Sequence, residues 1–173
     1  MSNFVVRDAN PDDALGIATV HVKTWQCAYK GQIPDDFLAN LSIEQRHETW
    51  KRALENKESG THTIVVAAGK KILGWATFGK TRDTDVAVNV GELYGIYVAP
   101  ENIGQGIGSA LMNEAIERLK NAGYKQATLW VLDTNTKSRQ FYANKGWSID
   151  GATKDEARDG FVLHEVRYRI DLR

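Results

Sequence analysis

The sequence has little cysteine, little proline and no excess of either charge. Cys27 is the single cysteine among 173 residues, which also include only three prolines. A lone cysteine cannot form an intrachain disulfide, and because Cys27 has no His or Cys neighbour at metal-ligand spacing, we expect a buried structural thiol. With 22 basic against 22 acidic residues, no net charge draws the chain to nucleic acid or to an anionic membrane.

Long apolar runs and targeting signals are missing as well. No stretch reaches the roughly 20 apolar residues that cross a bilayer, and the opening MSNFVVRDANPDD has neither the basic region nor the apolar run of a signal peptide. We therefore expect a cytoplasmic protein without a membrane partner. Because 42% of the residues are hydrophobic, the chain can bury one good core, and we expect one domain over residues 1–173.

Hydrophobic periodicity predicts the order of the secondary-structure elements. A strand over 4–7 precedes a helix that runs from about Ala14 to about Trp25, and Ser42 and Gln45 form a capping-box pattern ahead of a helix that ends near Asn56. The remaining predictions are strands over 61–68, 72–79 and 86–98, a helix over 109–121, a strand over 127–132, a helix over 136–145, and strands over 147–153 and 161–172. This order indicates an α+β or mixed α/β fold.

Three glycines alternate where the strand ELYGIYV gives way to a helix, at positions 104, 106 and 108. The first N–H groups of a helix have no internal partners and carry partial positive charge, and glycines let an anion approach them closely. The segment lacks the Lys-Ser/Thr ending of a P-loop, and its spacing differs from the dinucleotide fingerprint GxGxxG. The motif alone therefore leaves two interpretations, a phosphate site or merely a tight turn.

A second motif, NTKSRQFYANKGW over 135–147, follows about thirty residues later. Together the two segments resemble the GNAT superfamily of acetyl-CoA-dependent N-acetyltransferases, over roughly residues 90–147. The resemblance implies a central, mostly antiparallel twisted sheet of about seven strands flanked by about four helices. It also implies a splayed pair of parallel strands at the acetyl-CoA site.

The resemblance assigns the acetyl-CoA contacts to named positions. It implies that the pyrophosphate is bound by the backbone amides of Gly104, Gln105, Gly106, Ile107 and Gly108, together with the hydroxyl of Ser109. It implies that the pantetheine arm is bound by the strand Ile96, Tyr97 and Val98 on one side and by Asn135 on the other. The Ile96 N–H would be directed at the thioester carbonyl. On local sequence alone, Asn135 is equally well explained as the cap of the following helix.

One position departs from the family pattern. Ile103 stands where the family has Gln or Arg, and isoleucine cannot donate a hydrogen bond to phosphate. We therefore expect weaker or differently ordered cofactor binding, with Gln105 as the side chain that compensates.

The resemblance also implies two catalytic residues. Glu92 matches the glutamate that serves as general base in histone-type members, and Tyr142 matches the tyrosine that protonates the leaving thiolate. Tyr94 could orient a water, while Trp25 and Tyr29 belong to the acceptor groove. Packing alone could also explain Tyr94 and Tyr142, and Glu92 could be a solvated strand residue. The four histidines have no ligand spacing, so we predict no metal.

The predicted function is transfer of the acetyl group of acetyl-CoA to a primary amine of a small molecule or peptide, by direct attack in a ternary complex. A homodimer is the candidate assembly. Two alternatives stay open: a non-catalytic acyl-CoA-binding sensor or interaction module with the same fold, and a nucleotide-phosphate binder that uses the same glycine turn. Ile103 favours the sensor, whereas Glu92, Asn135 and Tyr142 together favour an enzyme.

Overall fold

A seven-stranded sheet forms the centre of the molecule. The computed structural model describes residues 3–173. The strands are β1 (Val5–Asp8), β2 (Thr61–Ala68), β3 (Lys71–Lys80), β4 (Val90–Val98), β5 (Gln126–Leu132), β6 (Ser148–Arg158) and β7 (Phe161–Asp171). Their order across the sheet is β1-β2-β3-β4-β5-β7-β6. Neighbouring strands are antiparallel, except that β4 and β5 are parallel.

Five helices cover the sheet: α1 (Ala14–Ala28), α2 (Asp35–Ala39), α3 (Ile43–Glu55), α4 (Ile107–Asn121) and α5 (Thr136–Asn144). Two short 3-10 turns occur at Pro11–Asp13 and Pro100–Asn102. Within residues 3–173, every helix is too short or too polar to cross a membrane. The predicted mixed α+β class and the parallel strand pair are confirmed.

Several predicted boundaries shift. Helix α2 was not predicted because its five residues are too few to show a helical period. Strand β4 begins at Val90 rather than at residue 86, and α4 begins at Ile107 rather than at residue 109. The Ser42 hydroxyl accepts from the Gln45 N–H at 3.2 Å, which is half of the predicted capping box.

The core has two sides because alternate residues of a strand face opposite ways. On one face, Leu129 of β5 and Phe78 of β3 pack against α4 residues such as Leu111. On the other face, Trp75 of β3 packs with Ile17 of α1, and α3 adds partly buried aromatic and aliphatic side chains. The sheet is therefore enclosed between α4 and α5 on one side and α1 and α3 on the other.

One prediction about the core is wrong. Cys27 is exposed rather than buried, because it lies on the outer side of the last turn of α1, between exposed Gln26 and Ala28. Leu38 and the partly buried Tyr29 belong to the third apolar cluster of the molecule, near the end of α1.

The parallel strands β4 and β5 separate soon after they meet. Their register contains three pairs, Val90 with Gln126, Gly91 with Ala127 and Glu92 with Thr128. In addition, β4 has an irregularity opposite Thr77 and Phe78 of β3, where it carries one extra residue, and such bulges bend a strand. An opening between β4 and β5 follows, toward the carboxyl ends of both strands.

Candidate active site

The junction of β4 and α4 is a cradle of bare backbone. Gly104 and Gly106 have φ angles of +84° and +82°, a region that L side chains rarely adopt. A Cβ added at either position would meet nothing within 4 Å, so both glycines face open space. Gly106 is also the residue that precedes α4. The first N–H groups of α4 have no intrahelical partner, and the cradle therefore fits a phosphate group.

The next residues of the motif have other surroundings. Ile107 is 1% exposed and belongs to the main core, so its side chain fixes the start of α4 while its amide stays at the helix terminus. A Cβ at Gly108 would lie 3.4 Å from the Phe141 ring. This distance is an ordinary van der Waals contact, so the packing of α4 on α5 has room for a Cβ here. Ser109 follows in the first helical turn.

Ile103 and Gln105 flank this cradle without offering it a charged group. The Ile103 side chain is 66% exposed. The Gln105 amide is turned back onto the preceding 3-10 turn, where its Nε2 donates to the Glu101 carbonyl at 3.4 Å and its Oε1 accepts from Asn102 at 3.3 Å. Gln105 would have to leave these two contacts before it could compensate for Ile103.

The opening beyond the last β4–β5 pair is bordered by predicted site residues from both strands. Ile96 and Val98 pack against the main core, and Tyr97 packs on the opposite face. Past Glu92, the β4 edge has no β5 partner within residues 3–173, which leaves backbone N–H and C=O groups along it. Asn135 is 7% exposed and its Oδ1 accepts from the Ser138 N–H at 3.2 Å, which leaves its amide nitrogen able to donate elsewhere.

Three phenols lie close together around the opening. Burial raises the pKa of Tyr142 on α5, and nearby Tyr97 adds to this rise. Burial also raises the pKa of Tyr29, and Tyr97 and Tyr142 again contribute. All three therefore stay neutral at physiological pH, and a neutral phenol can donate a proton.

Glu92 lies at the last paired position of β4 and is 1% exposed. Its Oε1 lies 2.6 Å from Nη2 of Arg82, and its Oε2 accepts from the Arg82 backbone N–H at 2.8 Å. The side-chain hydrogen bond from the guanidinium to Glu92 raises the pKa of Arg82. Both carboxylate oxygens of Glu92 are therefore engaged by a single residue of the β3–β4 loop.

Tyr94 belongs to the surroundings of that ion pair. The Arg82 guanidinium carbon lies 4.6 Å from the centre of the Tyr94 ring, and the Tyr94 hydroxyl donates to the Lys80 carbonyl. Tyr94 is thus positioned beside the β3–β4 loop, with its hydroxyl proton already committed.

Trp25 and Tyr29 join an aromatic group at the end of α1. Their ring centres lie 4.9 Å apart, nearly perpendicular to each other. His21, one turn earlier, stacks on Tyr97 at 5.6 Å and its Nδ1 accepts from the Trp50 indole at 3.2 Å. Burial, aided by the charge of Arg46, lowers the pKa of His21 to about 4.

Two features of β7 were not predicted from the sequence. Arg167 is 4% exposed and binds three carboxylates, those of Asp83, Asp85 and Asp150, and so ties the β3–β4 loop to the sheet. Glu165 precedes it by two residues. The alternation in HEVRYRIDL places both side chains on one face, but the sequence carries no signal for their partners, which come from the β3–β4 loop and from β6.

The described part of the chain, residues 3–173, contains no group of three or more His, Cys, Asp or Glu side chains that could hold a metal ion.

A groove of about 780 Å³ lies between the α2–α3 segment and the β6–β7 turn, bordered by Phe37, Arg46 and Asp159.

Comparison with known proteins identifies similar chains. The model of the Acetyltransferase (GNAT) family matches residues 21–147. The uncharacterized N-acetyltransferase YuaI of Bacillus subtilis is 35% identical over 133 residues, which cover 75% of this chain and 72% of that protein. Phosphinothricin N-acetyltransferase of Alcaligenes faecalis is 28% identical over 151 residues, covering 87% and 71% of the two chains.

Solved structures share the fold. The PaiA N-acetyltransferase of Thermoplasma acidophilum, in complex with coenzyme A, superposes with a TM-score of 0.75 at 20% identity and covers 99% of both chains. The yncA protein of Salmonella typhimurium, solved with acetyl-CoA, has a TM-score of 0.71 at 20% identity and covers 99% of this chain and 95% of its own.

Proposed function

Because the chain belongs to the GNAT family of acetyltransferases, we propose that it transfers the acetyl group of acetyl-CoA to a primary amine of a small molecule or peptide, by direct attack in a ternary complex. The observation that carries this proposal is the opening between β4 and β5, which ends at the glycine cradle of α4. This opening thus combines phosphate-binding amides at the start of α4, an unpaired edge of β4 and buried phenols.

The chain's own groups would hold acetyl-CoA along this groove. The amides of residues 104–108 and the Ser109 hydroxyl bind the pyrophosphate, aided by the positive end of the α4 dipole. The free edge of β4 from Ile96 to Val98 hydrogen-bonds to the pantetheine amides, and Asn135 donates from the β5 side. The Ile96 N–H stabilises negative charge on the thioester oxygen, an interaction that is strongest where water is excluded.

Acetyl-CoA supplies an activated thioester when bound. In the transfer, the acceptor nitrogen forms a bond to the acetyl carbon, and the carbon–sulfur bond breaks with its electron pair leaving on sulfur. Tyr142 gives its phenolic proton to that sulfur and regains one from the newly acylated nitrogen. Its raised pKa keeps the phenol in the protonated form that can donate, and also makes Tyr142 a weaker acid than an ordinary tyrosine.

Glu92 was predicted to be the general base. To take a proton it must first lose contacts with Arg82, because both of its oxygens accept from that residue. A carboxylate bound to a cation is a weaker base than a free one. Its catalytic role stays a prediction, and its observed contacts favour a role in holding the β3–β4 loop.

The test is release of free thiol from acetyl-CoA in the presence of a pooled library of primary amines, followed by mass spectrometry of the acetylated product. We expect amine-dependent release that is much faster than hydrolysis of acetyl-CoA alone. Acetyl-CoA binding without turnover across the library would contradict the proposal.

That outcome would favour the second candidate, a non-catalytic acyl-CoA sensor. Its specific support is Ile103, which is 66% exposed beside the cradle and has no polar group to fasten phosphate. A sensor has no use for a buried phenol at the thioester, so Tyr142 weighs against it.

A further inference from the structure

Glu165 on β7 is a carboxylate with an unsatisfied oxygen. Its side chain is 16% exposed, and Oε2 is buried without a hydrogen-bond partner among residues 3–173. Buried polar atoms are nearly always hydrogen-bonded because an unpaired one costs free energy. Glu165 is not among the residues proposed above to contact acetyl-CoA.

The strand register places Glu165 at the wide end of the opening. It pairs with Leu132, the last residue of β5, and Asn135 follows three residues later in the chain. Leu163 faces the same way as Glu165 and packs in the cluster that includes Leu132 and Tyr29. Glu165 therefore lies between the end of α1 and the carboxyl end of β5, on the face opposite α4.

The Tyr29 phenol connects Glu165 with the transfer site. The pKa of Tyr29 is raised first by burial, then by Tyr97 and Tyr142, and also by the negative charge of Glu165. Tyr29 is thus close enough to both Tyr142 and Glu165 for their charges to act on its hydroxyl. In the transfer proposed above, an acceptor amine that approached from the α1 face and the carboxyl end of β5 would therefore meet this carboxylate.

Charged neighbours of Glu165 come mainly from β6. The Lys154 ammonium lies 3.6 Å from Oε2, beyond hydrogen-bond distance, and 4.4 Å from the centre of the Trp130 ring. Burial raises the pKa of Glu165, the charge of Lys154 opposes this, Glu156 adds to it, and Arg158 opposes it more weakly. From α1 and β4 the groups that face it are the neutral phenols of Tyr29 and Tyr97.

We propose that Glu165 binds the ammonium group of the acceptor and takes its proton, with the Tyr29 ring as the adjoining wall. The inference rests on the proposed acetyl transfer and names its substrate class as a cationic primary amine. Lys154 illustrates the chemistry, since an ammonium of the protein itself is already drawn to this carboxylate.

The proton balance is simple. The acceptor R–NH3+ gives one proton to the Glu165 carboxylate, which becomes a neutral carboxylic acid, and the nitrogen gains a free electron pair for attack. After transfer the acid returns the proton to solvent, which restores the carboxylate. A carboxyl group with a raised pKa is a better base than an ordinary one. Among residues 3–173, Oε2 accepts no hydrogen bond, and its one ion-pair partner, the Lys154 ammonium, lies 3.6 Å away.

The first experiment measures kcat/KM against pH for three amine probes, spermidine, phenethylamine and L-phenylalaninamide, with saturating acetyl-CoA. Glu165→Gln should lower kcat/KM by about 100-fold at neutral pH, with recovery at alkaline pH where the amine arrives deprotonated. Glu165→Asp should restore part of the activity. Glu117→Gln is the control, because it removes an exposed carboxylate on α4 that is not among the groups that shift the pKa of Glu165.

Circular dichroism and the affinity for coenzyme A show whether each variant is folded. Wild-type rates in Glu165→Gln would overturn the proposal, and so would a loss by the same factor at every pH, which would indicate a packing role. Either result leaves the acetyltransferase activity of the parent protein intact, so it does not refute the proposed function.

If none of the three probes is acetylated, that outcome counts against the proposed function. A binding experiment then tests the role of Glu165 separately. Calorimetry with the coenzyme A complex compares phenethylammonium with the neutral phenethyl alcohol. We expect at least about tenfold tighter binding of the cation, lost in Glu165→Gln. Equal affinities of the parent protein for the two probes would overturn the inference.

Discussion

Arg82 and Glu92 form a two-pronged ion pair in which the two partners are buried to very different extents. The Glu92 side chain is 1% exposed and that of Arg82 is 62% exposed. The carboxylate lies beneath the β3–β4 loop, and the guanidinium closes over it from the solvent side. Removal of the Arg82 guanidinium and removal of the Glu92 charge should therefore lower the free energy of unfolding by different amounts.

We expect Arg82→Met to destabilise the protein more than Glu92→Gln. Loss of the Arg82 guanidinium leaves a buried carboxylate without its cation, with the backbone N–H of residue 82 as its remaining donor, at a cost of about 3–5 kcal/mol. Loss of the Glu92 charge leaves a guanidinium that water can still solvate, so the cost is about 1 kcal/mol. Urea unfolding at neutral pH measures both, with Arg52→Met on α3 as a control for removal of an arginine. Equal losses would show that the loop, rather than the ion pair, determines the stability of this region.

The glycine cradle gives a second prediction. Gly106→Val places a β-branched side chain in the open space in front of α4 and should weaken acetyl-CoA binding by at least about tenfold, or 1.4 kcal/mol. Because φ at Gly106 is +82°, the variant also carries backbone strain. Gly123→Val is the matched control, with φ of +95° and nothing within 4 Å of its Cβ, but at the far end of α4.

Calorimetry with acetyl-CoA separates the two effects of that substitution. Gly123→Val should lose stability but keep its affinity. If the two folded variants bind acetyl-CoA equally well, the glycines serve only the turn.

The third prediction concerns the missing polar side chain. Ile103 is exposed beside the cradle, so an arginine there can reach phosphate without disturbing the core. Ile103→Arg should tighten coenzyme A binding and make it more sensitive to salt, because it adds charge-assisted donors. Ile103→Gln adds a donor without charge and should show the first effect only. Unchanged affinity in both would mean that another group already fastens the pyrophosphate.

The sequence predicted the parts of the site that depend on local chemistry. The glycine turn between β4 and α4 and the start of α5 after Asn135 could be predicted, because turns and helix caps depend only on a few neighbouring residues. The surroundings of Glu92 were not predictable, since its partner Arg82 lies in a polar loop whose path is set by Arg167 on the distant strand β7. Cys27 was misjudged because helical spacing alone does not show where the buried face of α1 ends.

His21 gives a prediction about pH and stability. Its pKa in the folded protein is about 4, against 6.5 without the burial that lowers it. Since the unfolded chain binds the proton more readily, stability is full above pH 6.5 and falls as the pH drops toward 4, by about 3 kcal/mol at most. The Trp50 indole reinforces this, because it donates to a nitrogen that must be unprotonated.

Urea unfolding at several pH values between 4 and 7 measures how steeply the free energy of unfolding changes with pH. His21→Gln should flatten it, whereas His62→Gln, a substitution on the exposed start of β2, should leave it as in the parent protein. A slope that survives in His21→Gln would assign the acid sensitivity to other groups.

The last prediction separates binding from chemistry at Tyr142. Tyr142→Phe removes only a hydroxyl from a ring that is 8% exposed and packed in the main core, so the fold and the affinity for acetyl-CoA should be kept. The transfer rate should fall by about 100-fold, within the usual range for loss of an acid catalyst. Tyr124→Phe is the matched control, because that ring also packs against the main core but follows α4 at its far end. Rapid-mixing measurements of thiol release, with calorimetry for affinity, test the pair. Full turnover in Tyr142→Phe would show that the phenol only packs and that thiolate release here needs no acid.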